Sequence, residues 1–468
     1  MRRKTGIVVG ACVAVALVAS AGAAAWTYST EGQSVGTWHE APGVARTPVS
    51  NPRPELSPAA RNSVDRPTEE ADQPSGDKPA PAASRTKSAR TVLPESARAQ
   101  SASGRQKVGE LLRVDRLIGY LDAPRKETFH YPHASYVKLH FNRMMMLPGD
   151  FLTVSNPDGT ESYRYDAPPL GSLLAPTTSD KWAMSITGDT AKLEMHRVAG
   201  DALGTGALLG QLGVNVDQVA RGYTPAEQAA APESQLTRPG GSGREESVCG
   251  GDESADAACY RSADPVAYTR SKAIARLLIN GTELCTGWRL GAKDRMLTNN
   301  HCFTTTADAS ETEVWFNYQC ARCGGYDVLR PTKVWGAQVL ATDRVYDYTL
   351  FTVEDFNSVQ KFGYLSLDTD RPVKGQELYI PQHPAGEPTR IAGGLGEKAG
   401  TCAVAGNAYD GYAKGSDVAY YCDTEGGSSG SPVISRKTDE VVALHHFGGC
   451  PNSGVRADLL YARLRPLL

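Results

Sequence analysis

Gly426-Gly427-Ser428-Ser429-Gly430-Ser431-Pro432 is a glycine- and serine-rich turn that runs into the apolar strand signal Val433-Ile434. Glycines in such a turn let backbone N–H groups converge on an anion. A serine between them, Ser429, is a poor nucleophile until an imidazole takes its proton. Upstream, Leu297-Thr298-Asn299-Asn300-His301-Cys302 sets a histidine at the end of an apolar strand. Between the two, Tyr346-Asp347-Tyr348-Thr349-Leu350-Phe351 puts a single acid inside an otherwise apolar strand. A buried, unpaired carboxylate is costly, so this acid is expected to have a hydrogen-bonding partner. The three pieces supply a nucleophile (Ser429), a general base (His301) and an acid that orients the base (Asp347). The N–H groups of Gly427 and Ser429 would form an oxyanion hole, each donor contributing about 3–4 kcal/mol.

Taken together, residues from about Cys249 to Arg465 resemble the chymotrypsin-fold serine peptidases. Within them the chain looks closest to the bacterial glutamyl- and lysyl-endopeptidase (V8-like) branch. The resemblance rests on the order His301, Asp347, Ser429, with 46 and 82 positions between successive members, and on Tyr379-Ile380-Pro381-Gln382-His383-Pro384 followed by Arg390-Ile391. It implies a double β-barrel and hydrolysis of peptide bonds through an acyl-enzyme, with no metal and no cofactor. The chain departs from the digestive proteases in two ways. Ser428 stands where they carry an acid before the nucleophile, and no Ile-Val-Gly-Gly start precedes Ala273-Ile274-Ala275-Arg276-Leu277. Activation by insertion of a new N-terminus is therefore not expected; a pro-form would be masked, or helped to fold, by the N-terminal half.

The same resemblance implies disulfides Cys249–Cys450, Cys285–Cys302, and Cys259 with either Cys320 or Cys323; Cys402–Cys422 is an additional candidate. One of Cys320 and Cys323 is then left over. For the pocket that receives the side chain before the cut, the matching positions are Asp423, Thr424 and His446. An aspartate suits Lys or Arg, whereas a threonine with a histidine suits an acidic side chain. The sequence offers both chemistries, with a lean toward acidic substrates.

Outward from this core the organisation changes. Arg2, Arg3 and Lys4 precede an apolar stretch ending in Ala23-Ala24-Ala25, the layout of a secretory signal peptide over residues 1–25. Residues 26–104 are rich in Pro, Ser and Ala and read as a disordered leader. Residues 105–200 carry short alternating segments such as Tyr136-Val137-Lys138-Leu139-His140-Phe141, and turn signals such as Asn156-Pro157-Asp158-Gly159. They predict a small β-sandwich, CUB-like or jelly-roll-like, whose ligand is unknown. Residues 201–244 read as a linker and 245–468 as the peptidase domain. The chain is thus expected to be mainly β.

The 49 basic and 52 acidic side chains among 468 residues give a net charge of −3, which argues against a nucleic-acid partner. With 40% hydrophobic residues a folded core is assured, and no stable membrane insertion is expected once the signal peptide is removed. The functional expectation is a secreted serine endopeptidase acting on protein or peptide substrates. The alternative is a catalytically inactive, protease-like binding protein.

Overall fold

The computed structural model describes residues 48–50, 104–120, 124–167, 181–197, 212–231, 248–325, 327–395 and 401–468. The expected signal peptide lies outside these residues. So does nearly all of the leader, of which β1 (Pro48–Ser50) is described, paired antiparallel with β17 (Asp327–Leu329). Among the described residues no helix is long and apolar enough to cross a membrane.

The N-terminal sandwich follows from period-2 alternation. β10 (Thr190–His196) buries Ala191, Leu193 and Met195 and turns Lys192 outward. One sheet has the order β4 (Lys126–His130), β10, β6 (Phe151–Ser155), β7 (Ser162–Asp166). The other has β3 (Gly109–Gly119), β11 (Gly213–Gly222), β5 (Tyr136–Met145) and β8 (Lys181–Trp182), with β9 (Ile186–Thr187) also on β5. Leu139, Phe141, Leu152, Leu193 and Val216 fill the space between the sheets. β11 corrects the linker expected over 201–244. It sits between β3 and β5 with both edges paired, and Gly-rich flanks and an arginine-bearing C-terminal end masked its strand character in the sequence.

The first C-terminal barrel closes in the order β13 (Ile274–Ile279), β16 (Glu313–Phe316), β18 (Thr332–Asp343), β19 (Tyr348–Val353), β15 (Met296–Thr298), β14 (Glu283–Arg289) and back to β13. Asn280-Gly281 makes the β13–β14 turn, with φ of 51° and 71°. This is the left-handed pair that a tight hairpin needs and that Asn-Gly supplies at little cost. The second sheet runs β12 (Ala255–Asp256), β21 (Arg390–Ala392), β20 (Leu378–Gln382), β24 (Pro432–Ser435), β25 (Val441–Phe447), β26 (Asn452–Arg456), β23 (Asp417–Tyr420), β22 (Val404–Tyr409). It curls until Leu378 N donates to Cys402 O (2.8 Å) and Val404 N to Gln376 O (2.9 Å), bringing β20 and β22 together. Leu277, Phe316 and Phe351 are among the side chains filling the first barrel, and Ile380, Val418 and Val433 among those filling the second. A third layer including Trp288, Leu297, Leu350, Ile434, Leu444 and Val455 joins them.

The sandwich is built into this assembly. β2 (Gln106–Lys107) leaves it to pair with β14, placing Gln106 opposite Leu284. Val108 and Tyr136 share a buried cluster with Leu284 and Trp315, and the Tyr136 hydroxyl donates to Gly281 O at 2.8 Å.

Candidate active site

β15 is three fully buried residues, Met296-Leu297-Thr298, and the chain turns sharply after it. His301 lies in that turn. Asp347 was expected inside a strand; it instead occupies the tight turn before β19, with φ of 41°. Aspartate tolerates this left-handed conformation better than most residues. The turn aims its carboxylate back at the histidine loop. Oδ1 accepts from His301 N (3.0 Å) and Oδ2 from His301 Nδ1 (2.8 Å). Asn299 Nδ2 also donates to the Asp347 carbonyl at 2.8 Å. A carboxylate accepts only, so the proton of a neutral His301 sits on Nδ1 and Nε2 keeps its lone pair. That Nε2 is buried and makes no hydrogen bond within the described residues. Burial alone would raise the pKa of Asp347, but the charges and hydrogen bonds of His301 and His446 hold it well below the ordinary carboxylate value.

Ser429 is positioned from the same barrel. Thr286 N donates to its carbonyl (2.8 Å), and the Thr286 hydroxyl donates to Gly427 O (2.9 Å) while accepting from His383 N (3.3 Å). The neighbouring Cys285 bridges to Cys302, directly after His301. Two adjacent residues of β14, on opposite faces of the strand, therefore fix the histidine loop and the serine loop. The serine turn needs its glycines. Gly430 has φ of 88°, and a Cβ there would lie 2.1 Å from Thr286 O; at Gly427, with φ of 99°, a Cβ would lie 2.7 Å from Leu284 Cδ2.

The three residues expected in the specificity pocket have different surroundings. The Asp423 carboxylate accepts from Cys249 N (2.9 Å) and Glu253 N (2.7 Å), and burial raises its proton affinity despite them. The Thr424 hydroxyl is buried and makes no hydrogen bond within the described residues. His446 corrects the expectation made for it. Its Nδ1 lies 3.0 Å from Asp347 Oδ2 and its Nε2 2.7 Å from Asp417 Oδ2, so neither ring nitrogen is left for a substrate. The reason is strand alternation along β25: Leu444 and His446 face the layer between the barrels, whereas Ala443 and His445 face the second barrel. His445 meets the Tyr420 hydroxyl at 2.6 Å, and its backbone pairs with the nucleophile turn, accepting from Gly430 N and donating to Ser431 O. Asp417, further fixed by the hydroxyls of Ser416 (2.7 Å) and Ser453 (2.9 Å), was not foreseen. Nothing in its local sequence, Ser416-Asp417-Val418, sets it apart from a surface acid.

Among the described residues the disulfides are Cys249–Cys450, Cys259–Cys323, Cys285–Cys302 and Cys402–Cys422, and Cys320 is buried outside these bridges. Donor atoms of Cys285, His301 and Cys302 lie within 4.8 Å of one another. Both sulfurs belong to the bridge, however, so they offer no thiolate to a metal.

Residues 285–444 match the family described as Trypsin-like peptidase domain. Secreted RxLR effector protein 73 of Plasmopara viticola is 40% identical over 223 residues, covering 46% of this chain and 54% of that protein. The uncharacterized protein y4fB of Sinorhizobium fredii is 28% identical over 200 residues, 38% of this chain and 28% of that one. The chain thus spans about half or less of the length of these relatives. Among solved structures, a Glu endopeptidase in complex with MPD aligns with 47% of this chain and 98% of its own, at 21% identity and a TM-score of 0.34. The two closed barrels and the family match lead to one conclusion: the C-terminal half of this protein is a trypsin-like peptidase domain of the chymotrypsin fold.

Proposed function

We propose that the protein is a secreted serine endopeptidase of V8-like type. The observation that carries this reading is the double grip of Asp347 on His301, which fixes ring orientation and tautomer together. In the reaction, Ser429 Oγ attacks the scissile carbonyl carbon while His301 Nε2 takes its proton. The N–H groups of Gly427 and Ser429 receive the oxyanion. His301 then gives the proton to the departing amine nitrogen, leaving an acyl group on Ser429. Water, deprotonated by the same nitrogen, releases it. The open hydrogen bond at Nε2 is compatible with this sequence, since such bonds often tighten only with substrate bound.

Four disulfides and a relative whose name describes it as secreted support an extracellular setting. An acidic side chain before the cut is the preferred substrate. Asp423 spends its oxygens on backbone N–H groups, whereas Thr424 keeps a hydroxyl to offer. A panel of peptides with Glu, Lys, Arg or Phe before the cut tests this; cleavage after Lys or Arg alone would reverse it. The catalytic reading itself is tested with a fluorophosphonate. Labelling is expected in the unmodified protein and absent in Ser429→Ala. A folded protein that never labels would instead be a protease-like binding protein.

A further inference from the structure

We propose that His446 is a positioning residue of this centre: a second imidazole that grips Asp347 from the second barrel and tempers the negative charge Asp347 presents to His301. The inference rests on the serine-peptidase reading above and concerns how its base is tuned.

Asp347 Oδ2 is shared by two ring nitrogens, His301 Nδ1 at 2.8 Å and His446 Nδ1 at 3.0 Å. On its far side, His446 Nε2 lies 2.7 Å from Asp417 Oδ2. Both nitrogens of one ring therefore face carboxylate oxygens, which only accept. A neutral imidazole has a single N–H and would press a lone pair against one of them; an imidazolium donates to both. His446 is completely buried, so a charge on it needs compensation within the protein, and among the described residues these two acids pair with it. Burial by itself pushes its pKa down, yet the Asp417 charge and the hydrogen bonds of both carboxylates carry it up to about 9.

The other groups around it do not supply a competing charge at neutral pH. Tyr412 meets the ring edge-on at 5.9 Å, and burial pushes its hydroxyl up to about 12. Ser416 and Ser453 donate to Asp417. Phe447 packs beside the ring on the same strand. From Asp347 outward, the row is anion, cation, anion.

The consequence concerns the base. A bare carboxylate raises the proton affinity of the imidazole it holds, and a cation on the opposite side of that carboxylate offsets part of the effect. With His446 charged, Asp347 presents less net negative charge to the imidazole that is to accept the Ser429 proton.

The test uses the full chain and the rate of fluorophosphonate labelling across pH. In His446→Gln and in Asp417→Asn the acid limb of the profile is expected to move up by about one pH unit. Nitrogen-15 NMR of unmodified protein, which does not depend on either variant folding, is expected to show His446 with both ring nitrogens protonated at pH 7. A folded variant whose labelling rate falls with the limb unmoved, or a neutral His446 at pH 7, overturns the proposal. If the unmodified protein labels at no pH, the serine-peptidase reading itself falls, and the role of His446 with it.

Discussion

Lys138 of the sandwich and Glu313 of the first barrel form an ion pair of 2.8 Å in which the side chains are 1% and 0% exposed. Glu313 also accepts from Ser185 N (2.9 Å), the Ser185 hydroxyl (2.6 Å) and Trp315 Nε1 (2.7 Å), while Lys333 of the barrel pairs with Glu161 of the sandwich at 2.7 Å. Each part of the molecule thus buries charges that the other neutralises. Breaking one partner leaves an uncompensated buried ion, at a cost of about 3–5 kcal/mol. Lys138→Met is expected to lower the unfolding free energy by this amount in denaturant titration, and Lys138→Met with Glu313→Gln by less. A chain starting near Glu245 would expose Trp315 and Leu284 and strand Glu313 and Lys333. It is expected to lack fixed tertiary structure by near-ultraviolet circular dichroism; a folded chain of this kind would show that the sandwich is dispensable.

The nucleophile turn is sterically exacting at Gly430. Replacement by alanine would set a Cβ 2.1 Å from Thr286 O at a backbone φ of 88°. Gly430→Ala is expected to destabilise by about 1–3 kcal/mol and to abolish fluorophosphonate labelling even where the protein remains folded, because the Ser429 carbonyl loses its hold on Thr286 N. Labelling at the unmodified rate would show that the turn tolerates the shift.

Cys285–Cys302 closes a loop with a sequence separation of 17. The paired change Cys285→Ala, Cys302→Ala is expected to lower stability by about 3 kcal/mol. It is also expected to reduce the labelling rate more than stability alone explains, since it loosens the loop that holds His301. Comparing the rate with the melting temperature separates the two effects.

Stability should also fall on the alkaline side. His446 is raised from an ordinary 6.5 to about 9 in the folded protein, so its contribution is fully present below pH 6.5 and is lost as pH rises through about 9. The loss is on the order of 3 kcal/mol. Asp417→Asn removes the acid that raises it and should flatten this slope in melting experiments run from pH 6 to 10; an unchanged slope would assign the effect to another group.

The candidate nucleophile, base and acid could be picked out of the sequence because each is a local signal. A serine between glycines, a histidine after an apolar strand and an acid among tyrosines each carry a reason for being where they are, and their order along the chain suggested the fold. What Asp347 touches was not legible. The His445-His446 doublet sends its two rings to opposite faces of β25, and a register shift between His445 and Phe447 disturbs the ladder there. Only the folded barrels decide which ring meets the acid. β11 was missed because its partners, β3 and β5, lie far back in the chain.

The amino-acid order by itself determined the candidate nucleophile, base and orienting acid, since each depends on side-chain type and on near neighbours. The tertiary structure alone decided that Asp347 is shared with His446 and Asp417, and that the sandwich and the first barrel neutralise one another's buried charges. Those relationships join strands distant along the chain, and the strand pairing that creates them leaves no trace in local composition.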